Sequence, residues 1–429
     1  MVQKIYYLIS VILYSSLVVV LILNPAFGDE IYLETLENAI AAYKSGKSEQ
    51  VHELIKKCAL LEPNNYLSWY WAGIMCESDH ASLLNFDRAI ELAPNEPDPY
   101  AMRGRLKLQT AHAVIDSDGI GGIKDVSMSL IFDSNYIEGI KDIENALRLD
   151  SDNVPACYYK ATDLMESNKN REALPYLQKI VDKKNIENDT LSKSYLFNFR
   201  ENSHFVLCTI YCQLQMYDKA LEHINIAIQS ALLARQTDTL CTYYQQRYQL
   251  NKNMNKENAL KDIDKIIEID SSQYYLWMYH KTCILFELNR KEESIVLCTK
   301  MLTQISSDSA EYIVFVHYLA TELNCYDVAT MAIDKCNEDI WLKNHQSGVI
   351  DNDVLGVFYI TRSFLNNKRN LFDNAYDDIS KVVQLEPKVP KNYLMRAKIL
   401  FRQDKSSEML KDIETFFNLL SPDEEKNLP

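Results

Sequence analysis

The stretch YDKALEHINIAI, Tyr217–Ile228, decides how the rest of this chain is read. Ala220, Ile224 and Ala227 stand four and three residues apart, which puts them on one face of a helix. A small residue at each end of the triad lets a second helix come close. The same triad of small, apolar, then small or apolar residues recurs at Val51, Ile55 and Cys58, at Ser82, Phe86 and Ala89, and at Gly139, Ile143 and Ala146. It returns at Ala173, Leu177 and Ile180, at Ala259, Ile263 and Ile266, and at Ser294, Cys298 and Met301. Ala329, Ile333 and Cys336, then Ala375, Ile379 and Val382, then Met409, Ile413 and Phe416 complete the series.

The spacing is regular. Gly139 to Ala173 and Ala375 to Met409 are 34 residues each, and Ala259 to Ser294 and Ser294 to Ala329 are 35 each. A second helical segment, opening near Trp69, Tyr100, Tyr243, Trp277, Tyr359 or Tyr393, precedes many of the copies. WYWAGIMC shows its form, with Trp69, Ala72, Gly73 and Cys76 on one face. Proline closes some copies, at Pro63, Pro94 and Pro387. These residues resemble the tetratricopeptide repeat family, whose pattern sets an aromatic and a glycine in the first helix against a small residue, an aromatic and a proline in the second. The pattern returns about ten times, from Ile31 to about Leu420, with small residues such as Ala161, Cys208, Ser363 and Ala397 where the family has glycine. The resemblance implies an all-α fold, an α-solenoid in which helical hairpins stack into a right-handed superhelix, because one hairpin cannot bury its own apolar face.

Three gaps exceed the period: Ser82 to Gly139 by 23 residues, Ala173 to Ala220 by 13, and Ala329 to Ala375 by 12. They place inserts near 109–133, 188–200 and 344–355 within a solenoid spanning 29–421, followed by a polar tail, 422–429. The first insert contains DSDGIGG, Asp116–Gly122, with three of the chain's 10 glycines. As a calcium loop it fails, because Gly119 comes two residues early and no glutamate follows before Glu138. As a phosphate loop it fails too, since Lys124 has no Ser or Thr after it. A turn inside the insert is the expected reading.

Residues 1–28 read as a signal peptide or membrane anchor. Lys4 precedes an apolar run from Ile5 to Leu23, and Ala26 and Gly28 stand three and one before Asp29, as a signal peptidase requires. The body is therefore expected to be extracytoplasmic, periplasmic or secreted, with membrane contact only through that segment if it is kept. A net charge of −15 leaves no basic face to displace counterions, which excludes nucleic acid as a partner. The 10 cysteines offer no four-ligand zinc spacing. Cys208 and Cys212 share a helical face, and Cys58, Cys208, Cys298 and Cys336 take small or apolar repeat positions, as buried hydrophobes do. The histidines are dispersed, and no hydrolase, metalloprotease or phosphate-loop signature is present, so no catalytic, cofactor or metal residue is assigned.

By the resemblance, the first helix of each pair lines the concave groove that holds a protein or peptide partner. Positions just after the start of each first-helix motif give Tyr70, Tyr158, Phe205, Tyr244 and Tyr279, and one turn further gives Tyr248. These six are the expected partner-binding side chains, their aromatic bodies suited to a partly polar ligand. Packing between neighbouring repeats is the alternative place for them. The basic residues with which family members clamp a terminal carboxylate are missing from this series. The function expected is an extracytoplasmic scaffold, with cell-envelope assembly as its setting. A ligand-binding protein or enzyme whose site is built from the inserts is the alternative.

Overall fold

The computed structural model of the chain describes residues 25–117, 126–183, 193–234 and 237–420. The chain divides into two compact units, Met1–Leu233 and Ala234–Pro429. The described residues of the first hold five antiparallel helix pairs: α1 (Pro25–Lys44) with α2 (Ser48–Leu61), α3 (Tyr66–Met75) with α4 (Asp79–Leu92), α5 (Pro97–Ser117) with α6 (Val126–Leu149), α7 (Val154–Glu166) with α8 (Asn170–Asp182), and α9 (Lys193–Gln213) with α10 (Tyr217–Ala234). The second holds α11 (Thr237–Met254) with α12 (Lys256–Ile269), α13 (Tyr274–Glu287) with α14 (Lys291–Gln304), and α15 (Ala310–Thr321) with α16 (Tyr326–Ile333). A lone helix, α17 (Glu338–Gln346), follows, then α18 (Asn352–Lys368) with α19 (Phe372–Leu385) and α20 (Pro390–Arg402) with α21 (Ser406–Leu419). The fold is an all-α array of stacked helix pairs.

The triads that begin the sequence reading are the buried faces of the second helices. Ala220, Ile224 and Ala227 are fully buried on α10, as are Ala173 and Leu177 on α8 and Ala375, Ile379 and Val382 on α19. Burial of that stripe against the first helix holds each pair, at about 25 cal/mol per Å² of apolar surface removed from water. Side-chain caps start several helices: Asn65 Oδ1 accepts from Leu67 N at 3.1 Å, Asn153 Oδ1 from Ala156 N at 3.0 Å, and Asp351 Oδ1 from Val354 N at 2.9 Å.

The turn within a pair has its own signature. Asn168, Gln215, Asn289, Asn324, Asn370 and Asp404 all adopt positive φ, between 51° and 62°, and Gly46 does so at 68°. Each stands five residues before the first residue of its triad, from Gly46 before Val51 to Asp404 before Met409. A left-handed residue lets the first helix end with its last carbonyls bonded, as in Lys169 N to Leu164 O at 2.7 Å and Lys405 N to Leu400 O at 3.0 Å. Asparagine tolerates this conformation best after glycine, so a glycine-poor chain can still turn sharply.

The described parts of the three insert regions are largely helical. Most of the first excess lengthens the pair itself: α5 and α6 run 21 and 24 residues. Gly119, Gly121 and Gly122, and with them the ion and phosphate readings, lie outside the described residues. At the second, α9 opens at Lys193 and runs 21 residues. The third gap holds an additional helix. Its region forms α17, capped by Asn337, and α18 already begins at Asn352 within the span read as insert. The apolar segment Ile5–Leu23 is also outside the described residues, and the expected cleavage point after Gly28 falls within α1. No helix among the described residues is long and apolar enough to cross a membrane.

Candidate partner-binding surface

Four pairs share an ionic staple that the sequence reading passed over. Arg103 on α5 donates from Nε and Nη2 to Asp142 on α6 at 2.8 and 2.6 Å. Arg362 on α18 grips Asp378 on α19 at 3.0 and 2.7 Å, and Arg396 on α20 grips Asp412 on α21 at 2.7 and 2.6 Å. Arg247 on α11 donates twice to Asp262 on α12, at 2.9 and 2.6 Å, and Asn251 Nδ2 donates to the other carboxylate oxygen at 2.7 Å. The four aspartates are buried, while the arginines remain partly open to water. Each guanidinium also lies over the ring three residues before it: Tyr100, Tyr244, Tyr359 or Tyr393, at 5.1–5.7 Å. A bidentate fork fixes both distance and orientation, so the staple sets the register of one helix on its partner. Its signal in the sequence was an Asp immediately before the triad's isoleucine, at Asp142, Asp262, Asp378 and Asp412, matched to an Arg three residues after a Tyr.

The staple corrects the register of α11. Tyr244 occupies the place of Tyr100, Tyr359 and Tyr393, so it is the leading aromatic of its helix and Tyr243 is not. Tyr244 is 6% exposed and packs under Arg247. Tyr248, 1% exposed, stands edge-on to Trp277 at 5.4 Å, and Tyr70, 5% exposed, packs on Trp71 and Phe86. These three belong to the core between helices and do not offer a surface to a partner. Tyr158, Phe205 and Tyr279 are half-buried. Tyr158 meets Tyr159 and Phe199 edge-on, at 5.5 and 5.2 Å, and Tyr279 meets Phe315 and Tyr318 on the next first helix, at 6.1 and 5.5 Å. Tyr158 and Tyr279 therefore join one pair to the next, which is the packing role the sequence left open.

The polar groups that resemble a reactive site are likewise structural. His204 and His223 face each other nitrogen to nitrogen, Nδ1 to Nδ1 at 2.9 Å, so one ring donates to the other. Burial, with the neighbouring His223 and Arg200, pushes His204 down to about 4, and burial lowers His223 as well. Glu338 at the start of α17 accepts from Arg362 at 2.7 Å, Lys381 at 2.6 Å and Tyr359 at 3.0 Å. Burial opposes its charge, yet the two cations beside it bring its carboxyl down to about 2. Trp341, fully buried, stacks on Phe358 at 4.9 Å, so α17 is pinned to α18. Among the described residues, no group of three or more His, Cys, Asp or Glu side chains is placed to hold a metal ion.

Two close approaches bear on the type of repeat. A Cβ at Gly73 on α3 would lie 2.6 Å from the ring of Phe86 on α4, and one at Gly104 on α5 would lie 2.7 Å from the carbonyl oxygen of Gly139 on α6. The glycine of the first helix receives the triad of the second, as the motif requires. The fold is a tetratricopeptide-like array of stacked helix pairs. No protein-family model matches the chain, and no curated protein matches it. A thermophilic tetratricopeptide protein of Thermus thermophilus is 12% identical over 50% of this chain and 98% of its own, with a TM-score of 0.38. Tom70 of yeast is 14% identical over 93% of this chain and 94% of its own, with a TM-score of 0.34. YrrB, a tetratricopeptide protein with an unusual peptide-binding site, is 18% identical over 51% and 94%, with a TM-score of 0.32. The assignment of this tetratricopeptide-like fold rests on the helix pairs themselves.

Proposed function

We propose that this chain is a non-enzymatic tetratricopeptide scaffold that works outside the cytoplasm and holds a segment of a partner protein against the first helices of its pairs. One observation carries the reading: the buried charges join helix to helix, as the four Arg–Asp staples do, while exposed flanks such as Phe401 and Lys398 on α20 have no polar or ring partner among the described residues. A surface of that kind suits recognition of another chain, not bond-breaking chemistry. The address comes from the apolar run Ile5–Leu23 and the Ala26, Gly28 spacing before Asp29, and assembly of the cell envelope is the setting it favours.

The test is recovery of a partner. Full-length chain with a C-terminal affinity tag, cross-linked in cells and purified from the envelope fraction, should bring down a protein in constant ratio; recovery of the chain alone sinks the scaffold reading. Mass measurement of the purified N-terminus addresses location. A chain beginning at Asp29 was exported and cleaved, one beginning at Met1 in the membrane fraction is anchored, and one found intact in the cytoplasm refutes the address. The enzyme alternative draws no support from the neighbourhood of the third insert, where Trp341 and Glu338, just before it, serve to hold α17 in place.

A further inference from the structure

Among the described helices, α20 alone carries basic residues and no acidic one. The protein has 60 acidic and 45 basic residues. Yet α20, PKNYLMRAKILFR, contains Lys391, Arg396, Lys398 and Arg402 and no acidic residue. Arg396 is held by Asp412. Lys391, Lys398 and Arg402 are exposed and form no ion pair among the described residues. At 3.6 residues per turn, Lys391, Leu394, Lys398, Phe401 and Arg402 fall within an arc of about 100°. Asn392, Ala397, Ile399 and Leu400 are buried on the other side of the helix. Leu394 is half-buried and Phe401 is 67% exposed, so two apolar side chains lie between three cations.

We propose that this stripe is a docking site for an acidic segment of a partner protein that carries at least one large apolar side chain. The proposal rests on the scaffold reading and names the partner's chemistry. A molecule with a net charge of −15 repels acidic segments over most of its surface, so an uncompensated run of cations is where such a segment is steered. Phe401 supplies what charge alone does not: an apolar anchor that leaves water on binding.

The experiment is fluorescence anisotropy on the full chain with two labelled peptides, one alternating Asp and Glu with Phe and Leu, the other with Asn and Gln in place of the acids. The acidic peptide should bind at least about tenfold more tightly at low salt and lose that advantage as salt screens the charges. Lys398→Glu with Arg402→Glu should remove about tenfold or more of the affinity, Phe401→Ser should weaken both peptides, and Lys261→Glu, exposed on α12, should change nothing. Circular dichroism on each variant confirms that the helices are intact. Equal binding of the two peptides, or indifference to charge reversal, overturns the proposal. So does self-association lost on charge reversal, which would make a second copy the occupant, or tighter binding after removal of Ser421–Pro429, which would make the chain's own acidic end the occupant. Undiminished recovery of a cross-linked partner by the charge-reversed chain sinks the stripe and leaves the scaffold standing; no partner with the unaltered chain sinks the scaffold whatever the peptides do.

Discussion

At the scale of single residues, the backbone and the buried imidazoles carry the sharpest consequences. Gln215 sits at φ 60°, where a side chain with a Cβ is strained by about 1–2 kcal/mol, and it lacks the short polar group that eases Asn into this region. Gln215→Gly should therefore stabilise the chain by about 1 kcal/mol, while Asn289→Gly changes little. Urea midpoints of the two variants check this; a destabilised Gln215→Gly would mean that the turn is not left-handed. The His204–His223 pair sets a pH dependence. Both rings are neutral in the fold, with His204 lowered to about 4, whereas an unfolded histidine protonates near 6.5. Between those values the unfolded chain binds more protons, so stability falls as pH drops through that window and is flat above it. The charges nearest the pair are Arg200 on the same helix as His204, and Lys219 and Glu222 on α10, with Tyr211 stacked on His223 at 5.4 Å. His204→Gln should flatten the decline between pH 6.5 and 4 relative to the unaltered chain. Parallel slopes of denaturation midpoint against pH would show that the pair does not titrate as described.

At the scale of elements, α17 depends on one side chain. Trp341 is the only apolar residue of that helix in the fully buried class, and it stacks on Phe358 beneath Arg362. Trp341→Ala should cost about 3–5 kcal/mol and release the segment between Asp334 and Asp351 to limited proteolysis, with helices α1 to α10 cleaved no faster than before. The second helices were legible in the sequence because a face buried against one neighbour repeats a small–apolar–small spacing whatever the rest of the helix does. The first helices were less so. In α11 the Arg247–Asp262 pair is one residue closer in sequence than Arg362–Asp378, and two adjacent tyrosines let Tyr243 be read where Tyr244 belongs. A register error of one residue rotates a helical side chain by about 100°, enough to turn the buried Tyr244 into an expected groove residue. Helix α17 was not legible at all: Glu338 and Trp341 declare their role only once Arg362, Lys381 and Phe358 have been brought to them.

At the scale of the whole molecule, repeats that touch only their neighbours have no single deep core, so small buried residues in every pair share the work of packing. Cysteine is one of those residues here, and all 10 are free thiols. That sits uneasily with an oxidising compartment unless the thiols are shielded. Burial supplies the shield: it pushes Cys58 and Cys157 up to about 11 and Cys298 and Cys336 up to about 12. Cys208 is fully buried as well. The thiolate is the reactive form, so a thiol with so high a pKa is a poor nucleophile at neutral pH even when a reagent reaches it. Purified without reductant, the folded chain should therefore react with iodoacetamide first at half-exposed positions such as Cys76 and Cys212, and last at Cys58, Cys157, Cys208, Cys298 and Cys336. In denaturant all 10 should react, with no gain on adding dithiothreitol. Peptide mapping of the labelled sites decides it. Rapid native labelling of Cys298 would show that its pair opens readily, and a dithiothreitol-dependent rise in the denatured count would show that oxidation has joined cysteines that the fold keeps apart.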